Sequence, residues 1–486
     1  MSSEIKNLDP GPVWDIFYEL TQIPRPSKVE AKAAEYAKSF GEKLGLETIV
    51  DSIGNVVIKK PASPGYENRK GVILQAHLDM VPQKNSDIEH DFEKDPIDAY
   101  VDGEWVAARG TTLGSDNGIG VAAALAVMQD NTLKHGPIEV LLTIDEETGM
   151  TGAFELQGGI LDGKILINLD SEDEGELYIG CAGGIDTSGK LRYSKEAVPA
   201  GSEAFRLSVT GLKGGHSGLD INLGRGNSNI LLCRFMYEAE QKFGMRLASI
   251  DGGSLRNAIP RESFAVVCVP AAQKNEFLAS VKEYEAIFKN ELGSVEPNLA
   301  FMAEAISLPD SVIDASTQNK LIRTVYGLPN GTIRMSTDMH GVVETSTNLA
   351  IVKSGEGAID IYCLVRSSVD TAKMSLALSL QSVLELAGAE VSQSGSYPGW
   401  KPDVNSPILT TMKEVYEKDF GKVPEVKVIH AGLECGIIGD AYPGLDMISF
   451  GPTIRFPHSP DEKVNIASVR KFWDYLLLTL EAVPEQ

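Results

Sequence analysis

His77 and Asp79 stand two residues apart in GVILQAHLDMVPQKN, residues 71–85. The run starts apolar and β-branched and ends polar with a proline, as a buried strand does when it leaves a sheet. Alternate residues of a strand share a face, so imidazole and carboxylate would leave the sheet side by side. One such pair at a strand end is unremarkable. Here the pattern recurs: IEVLLTI (138–144) runs into Asp145-Glu146-Glu147, KILINL (164–169) into Asp170, and LDMISF (445–450) into GPTIRFPHSPDE with His458. Asp116 stands in TTLGSDNGIGVAAALAVM, where Ser115 or Asp116 can cap a helix whose small residues permit close packing on a sheet.

Imidazoles mixed with several carboxylates suit Zn²⁺, with Co²⁺ or Mn²⁺ as alternatives, rather than the all-oxygen preference of Mg²⁺ or Ca²⁺. His77, His458 and the acids exceed one tetrahedral zinc. They fit two cations about 3.5–4 Å apart sharing one carboxylate, a pair that activates water and polarises a carbonyl. Asp79 is placed to receive the spare N–H of His77 and fix its tautomer. Of the neighbouring glutamates, one can bind metal while the other takes the water proton as general base. Asp145 stands beside them, and spacing leaves the choice among the three open. In the acidic run Asp170–Glu174 only Asp170 lies at a strand exit, and the rest reads as a solvated loop.

These strand ends need a common sheet edge. The predicted fold is α/β, a mostly parallel central sheet flanked by helices, with the ligands at the carboxyl ends of the strands. Helical spacing covers 12–24, 29–44 and 466–482, and 47–59 reads as a hairpin. Between Ile185 and Tyr397 the texture changes. FRLSVTG, SFAVVCVP, ETSTNLAIV and AIDIYCLVR alternate with helices near 227–243, 272–291, 314–326 and 370–387. The reading is an inserted α+β domain of antiparallel sheet and helices over 185–397, splitting a metal-binding catalytic domain into 1–184 and 398–486.

The chain has 486 residues and a formal net charge of −24. The length favours two domains. The charge repels phosphate backbones and anionic membranes, so neither nucleic acid nor membrane is an expected partner. Five scattered cysteines with no CxxC suit reduced thiols. The N-terminal residues lack a signal-peptide pattern and no apolar run reaches membrane-spanning length, so a cytoplasmic protein is expected. The glycine-rich GLKGGHSG and GLGRGNSN do not fit a dinucleotide fingerprint, and no GxSxG accompanies the sheet.

The motifs HLDMVP, GSDNGIG, DEETGMTGA, NLDSE and PHSPDE, in this order, resemble the co-catalytic zinc metallopeptidases that include peptidase T and the carnosinases. CAGGID, GLKGGHSG, RNAIPRE and HAGLECG are similar to a bacterial group within that family, whose members cleave aminoacyl-histidine dipeptides. By position, the resemblance implies Asp116 as the shared ligand, His77 and Asp170 completing one cation, and Glu147 and His458 the other. Asp79 would orient His77, and Glu146 would be the base. A cis peptide bond is implied at Asp116-Asn117. The insert would act as a lid, with His216 in its glycine-rich turn stabilising the oxyanion. Asn257 and Arg366 would hold the substrate carboxylate or oxyanion, since an arginine fork binds a carboxylate bidentately. A salt bridge to the acidic surface is the ordinary alternative for Arg366. Glu434 would receive the substrate ammonium.

The resulting expectation is a dinuclear metallo-dipeptidase, a peptide-bond hydrolase acting on Xaa-His and other dipeptides. A related amidohydrolase (aminoacylase, desuccinylase or carboxypeptidase) is the alternative, and a catalytically inactive peptide-binding relative a more distant one. The sequence leaves open whether the chain forms a homodimer.

Overall fold

The computed structural model describes residues 3–486. The chain divides into two compact units. One runs up to Gly180 and resumes over Trp400–Val428 and Leu433–Gln486; the other comprises Cys181–Gly399 and the short stretch Ile429–Gly432.

The first unit is built on four parallel strands in the spatial order Ile138–Thr143, Val72–His77, Ile165–Asn168 and Asp446–Ser449. Every residue of the first three is buried, which is why they read as continuous β-branched runs rather than alternating ones. Further strands flank this core. The hairpin Glu47–Val50 and Val56–Lys60 extends it on one side, and Glu176–Cys181 then Glu425–Ile429 on the other.

The helix Ser115–Gln129 packs against the His77 strand and the helix Gly11–Thr21. Its small residues set that distance. A Cβ on Gly120 would fall 2.8 Å from the Leu169 carbonyl oxygen, so only glycine lets the helix approach the strand end that carries Asp170. The helix cap differs from expectation. Gly114 is the cap residue, in left-handed conformation with φ 71°, and neither Ser115 nor Asp116 caps with its side chain. Both lie inside the first turn, and the N–H groups there are taken by the carboxylate of Glu462. The closing helices follow the usual chemistry. Ser406 accepts from the Leu409 N–H and Asn465 from the Ser468 N–H, caps worth about 1 kcal/mol each.

The second unit carries an antiparallel sheet, in the order Ala300–Ile306, Ser202–Thr210, Ser263–Pro270, Arg246–Gly252, Val343–Ser354, Ala358–Ser367, Gly183–Arg192 and Glu390–Tyr397. The helices Ser228–Phe243, Lys274–Leu292, Ala315–Gly327 and Asp370–Leu386 contribute to its core. Phe205, Phe235, Phe277, Phe288 and Phe301 interlock there edge to face or tilted. Truncating one such ring to alanine would cost about 3–5 kcal/mol. Among the described residues, no helix is long and apolar enough to cross a membrane.

Candidate metal centre

Parallel strands end together, and so do their side chains. His77 closes its strand 1% exposed. Its Nε2 lies 3.1 Å from Asp116 Oδ1 and 3.3 Å from Asp170 Oδ1. His458 Nε2 lies 3.3 Å from the other oxygen of Asp116, Oδ2, and 3.0 Å from Glu147 Oε2. Asp116 therefore offers one oxygen to each imidazole. Two candidate cation-binding sets result, His77–Asp116–Asp170 and Asp116–Glu147–His458, with ligand atoms inside each set within 4.8 Å of one another. His77, Glu146 and Glu147 form a third grouping of the same kind. The Asp116-Asn117 peptide bond is cis, and the Asn117 side-chain amide donates to Asp170 Oδ1 and to the Leu169 carbonyl.

The three consecutive acids have separate orientations. Asp145, with φ 52°, turns away: its N–H donates to Glu30 Oε1 at 2.7 Å, and its carboxylate takes the hydroxyls of Thr148 and Thr151. It braces the turn. Glu147 faces His458. The Glu146 carboxylate accepts no hydrogen bond among the described residues, although its backbone N–H donates to Asp79 Oδ1 at 3.0 Å. Asp79 also takes the Glu147 N–H at 3.2 Å and the Ser27 hydroxyl at 2.8 Å. It thus aligns the glutamate turn as well as the imidazole. His77 Nδ1 stands 3.3 Å from Asp79 Oδ1, an ion-pair contact short of hydrogen-bond geometry.

The electrostatics call for positive charge. Burial would depress His77, but Asp170 and Asp116 hold it well above the usual imidazole range. Hydrogen bonds to Asp116 and Glu147 push His458 up to about 11. Burial raises Asp170 to about 6 and lifts Glu146 well above the carboxylate range. Asp79 would also rise on burial, yet His77 and the Glu146 N–H hold it at about 2. Glu147 Oε1 is buried without a hydrogen-bond partner. An N/O donor set this acidic, with an orphaned carboxylate oxygen, fits divalent cations of the zinc type.

Beneath the centre a polar chain crosses the sheet, unforeseen from sequence. Ser449 donates to Asn168 Oδ1 (2.5 Å), Asn168 to Gln75 Oε1 (2.5 Å), and Gln75 to Glu434 Oε2 (2.6 Å), which also takes the Thr143 hydroxyl (2.8 Å). Glu434 opens the short helix Glu434–Ala441 and is 1% exposed, and burial pushes it up to about 8. The signal for this chain was the polar residue inside each otherwise apolar strand: Gln75 in VILQAH and Asn168 in ILIN.

The second unit holds the other predicted contacts. His216 pairs with Ala258 across a two-residue ladder, and the next residue, Ser217, donates its N–H to the Asn257 carbonyl at 2.8 Å. The Asn257 side chain is exposed. His216 Nδ1 accepts from the N–H groups of Gly218 (3.2 Å) and Leu219 (3.0 Å), which leaves its proton on Nε2. Burial and the Arg366 charge lower its pKa. Arg366 is 5% exposed and donates to the Ser217 hydroxyl (3.3 Å) and the Tyr397 hydroxyl (3.0 Å). No carboxylate lies within ion-pair distance of it among the described residues, so the salt-bridge alternative is not what is observed.

A mixed sheet with a parallel core and an acid-imidazole cluster at its carboxyl edge defines a metallohydrolase class. Residues 73–482 match the profile of peptidase family M20/M25/M40, and the chain belongs to that family. It is 50% identical over 482 residues to the cytosol non-specific dipeptidase of Escherichia coli (strain K12), with 99% of each chain covered. The crystal structure of aminoacylhistidine dipeptidase from Vibrio alginolyticus matches with a TM-score of 0.96 at 50% identity, covering 99% of both chains. Aminopeptidase PepT from Bacillus cereus, 15% identical, shares the fold at a TM-score of 0.58 over 98% of this chain and 99% of its own.

Proposed function

We propose that the chain is a dinuclear-metal dipeptidase of the cytoplasm that hydrolyses Xaa-His and other dipeptides. The observation that carries this reading is Asp116, whose two oxygens face the two imidazoles. The printed names of its relatives, a cytosol non-specific dipeptidase and an aminoacylhistidine dipeptidase, support the substrate class and compartment. His77, Asp116 and Asp170 would hold one cation and Asp116, Glu147 and His458 the other, zinc in the first instance with cobalt or manganese as alternatives. Such a pair, when bound, polarises the scissile carbonyl and lowers the pKa of water.

Glu146 is the general base. Its carboxylate is free of other hydrogen bonds, so it can take the proton of the attacking water and pass it to the leaving nitrogen. Asp79 fixes the ring of His77 and the backbone of the glutamate turn. In the same reading residues 185–397 form a lid domain inserted between residues 1–184 and 398–486. His216, its proton held on Nε2, donates to the oxyanion. Arg366 binds the substrate carboxylate with Asn257 assisting, and Glu434 receives the ammonium.

The test is a panel of Ala-His, other dipeptides, a tripeptide and an N-acetyl amino acid, run on chelated protein and on protein reconstituted with zinc or cobalt. Metal-dependent turnover of the dipeptides alone is expected. Preferential cleavage of the N-acetyl amino acid would overturn the assignment in favour of an aminoacylase.

A further inference from the structure

Two buried side chains of opposite charge have so far been given no part in the site: Glu462 and Arg25, each 2% exposed. Glu462 lies just ahead of the strand Lys463–Asn465, at the base of the hairpin that pairs with Ile454–Arg455 and carries His458. Its Oε2 takes the N–H groups of Leu113 (2.8 Å) and Gly114 (3.0 Å). Its Oε1 takes the Ser115 N–H (2.7 Å), the Ser115 hydroxyl (2.6 Å) and the Asp116 N–H (3.2 Å). A helix start leaves its first N–H groups unpaired, and here one carboxylate gathers them.

Arg25 holds the same segment from the other side. It donates to the Gly114 carbonyl (2.5 Å) and, through its other terminal nitrogen, to the carbonyls of Leu78 and Asp79 (both 2.9 Å). Gly114 is therefore gripped at its N–H by Glu462 and at its carbonyl by Arg25. A Cβ there would fall 2.7 Å from the guanidinium. Neither charged group has an opposite charge within ion-pair distance among the described residues, so Arg25 is spent on backbone carbonyls and Glu462 on backbone N–H groups and one hydroxyl.

The ligands differ in how they are held. The side chains of His77, Asp116, Glu147 and Asp170 are 1–12% exposed, whereas that of His458 is 52% exposed. His458 has left-handed backbone, φ 59°, and its ion pairs are with Asp116 and Glu147. Neighbouring side chains cover only half of it, and the base of its hairpin is tied down at Glu462.

We propose that Glu462 is a positioning residue that holds the His458 hairpin in register with Asp116, and so sets the Asp116–Glu147–His458 cation set. Arg25 does the same for the loop of His77 and Asp79. The inference rests on the two-cation reading above. Its mechanism is geometric: a displaced hairpin moves His458, which belongs to one set, while Arg25 at the Gly114 carbonyl and the Asn117 amide at Leu169 and Asp170 still hold the segment of Asp116 and the other set.

The experiment is a calorimetric titration of chelated protein with Co²⁺. Wild type should take up two ions. In Glu462→Gln, whose amide sets donor against donor, the first ion should bind as in wild type and the second about 10–100-fold more weakly. Arg25→Lys, which cannot span three carbonyls, should disturb the His77 set instead. Equal weakening of both ions in Glu462→Gln, or an unchanged isotherm, overturns the proposal. Where Glu462→Gln does not fold, Ser115→Ala removes one donor to the same carboxylate. It should weaken the second ion several-fold, and an isotherm like that of wild type overturns the proposal there too. A folded wild-type chain that takes up fewer than two ions overturns the two-cation reading itself, and this inference with it.

Discussion

The candidate metal centre of the first unit and the Arg366 cluster of the second are opposite electrostatic problems. In one, Asp79, Asp116, Glu146, Glu147 and Asp170 converge on His77 and His458, and among the described residues no Lys or Arg lies within ion-pair distance of them. In the other, a buried guanidinium meets only the hydroxyls of Ser217 and Tyr397. Other charges are matched, as where Lys59 bridges Glu139 at 3.0 Å and Asp162 at 2.7 Å and Arg234 meets Glu291 at 2.6 Å, or are spent on backbone groups, as are Arg25 and Glu462. Burying a charge without a partner is costly, so unmatched charge marks a place where fold stability has been given up. The lesson is that the two regions carry unmatched charge of opposite sign. On the proposed function a pair of cations neutralises the first region and a substrate carboxylate the second.

The sharpest way to break the comparison is to separate cation binding from chemistry in the first region. Glu146→Gln keeps the shape of the side chain and, on the proposed function, removes no cation ligand. Turnover should fall by about 10²–10⁴, the usual worth of a general base, while metal content measured by elemental analysis stays at the wild-type level. Wild-type turnover in that variant would remove Glu146 from the reaction.

The second region is tested by Arg366→Lys. The ammonium keeps the charge and loses the fork. Truncating a buried charged partner costs about 2–5 kcal/mol, and losing the fork alone forfeits part of that, so kcat/KM for a dipeptide should drop by about 10-fold. The same dipeptide with its carboxylate amidated should be hydrolysed slowly by wild type and lose little further in the variant. Equal losses on both substrates would show that Arg366 does not read a carboxylate.

Removing the cations tests the first region by stability. Ions that bind only the folded chain stabilise it by about 2.7 kcal/mol at a hundredfold excess over Kd. Chelation should therefore lower the melting temperature of wild type. Asp116→Asn, which on the proposed function weakens both cation sets at once, should melt alike with and without chelator. A chelator effect that survives in Asp116→Asn would mean the stabilising ions sit elsewhere.

How much of this was legible in the sequence follows from contact range. His77, Glu147, Asp170 and His458 follow strand-like apolar runs, and parallel strands bring their carboxyl ends to one edge, so periodicity alone gathers them. Asp116 was legible from the small-residue helix behind it. What periodicity could not reveal depends on distant partners. Glu462 grips Ser115 across 347 positions, and Gln75 meets Glu434 across 359. Asp145 looked equivalent to its neighbours until its left-handed backbone and the two threonine hydroxyls turned it aside. The capping assignment for Ser115 failed for the same reason, since the acceptor of its hydroxyl lies on another loop.

The smallest predicted effect concerns His430, which sharpens the account of the second region because it packs beside the unmatched cation. It is 7% exposed, with Nε2 2.7 Å from the Ser346 hydroxyl. Burial, reinforced by the charges of Arg366 and His216, brings its pKa down to about 3. An unfolded histidine titrates near 6.5. Above that pH neither state binds the proton and His430 costs nothing. Between 6.5 and 3 the unfolded chain takes a proton that the folded chain refuses, so stability falls as pH falls, by about 1.4 kcal/mol per pH unit. Between pH 7.5 and 5.5 wild type should therefore lose about 1.4 kcal/mol more than His430→Gln, which keeps a donor for Ser346 and cannot titrate. That difference corresponds to roughly 3–5 °C in melting temperature for a unit of this size. Circular dichroism melts of both proteins across that range measure it. Parallel profiles would mean that His430 titrates in the fold as it does in the unfolded chain, and that the positive charge of Arg366 is offset locally after all.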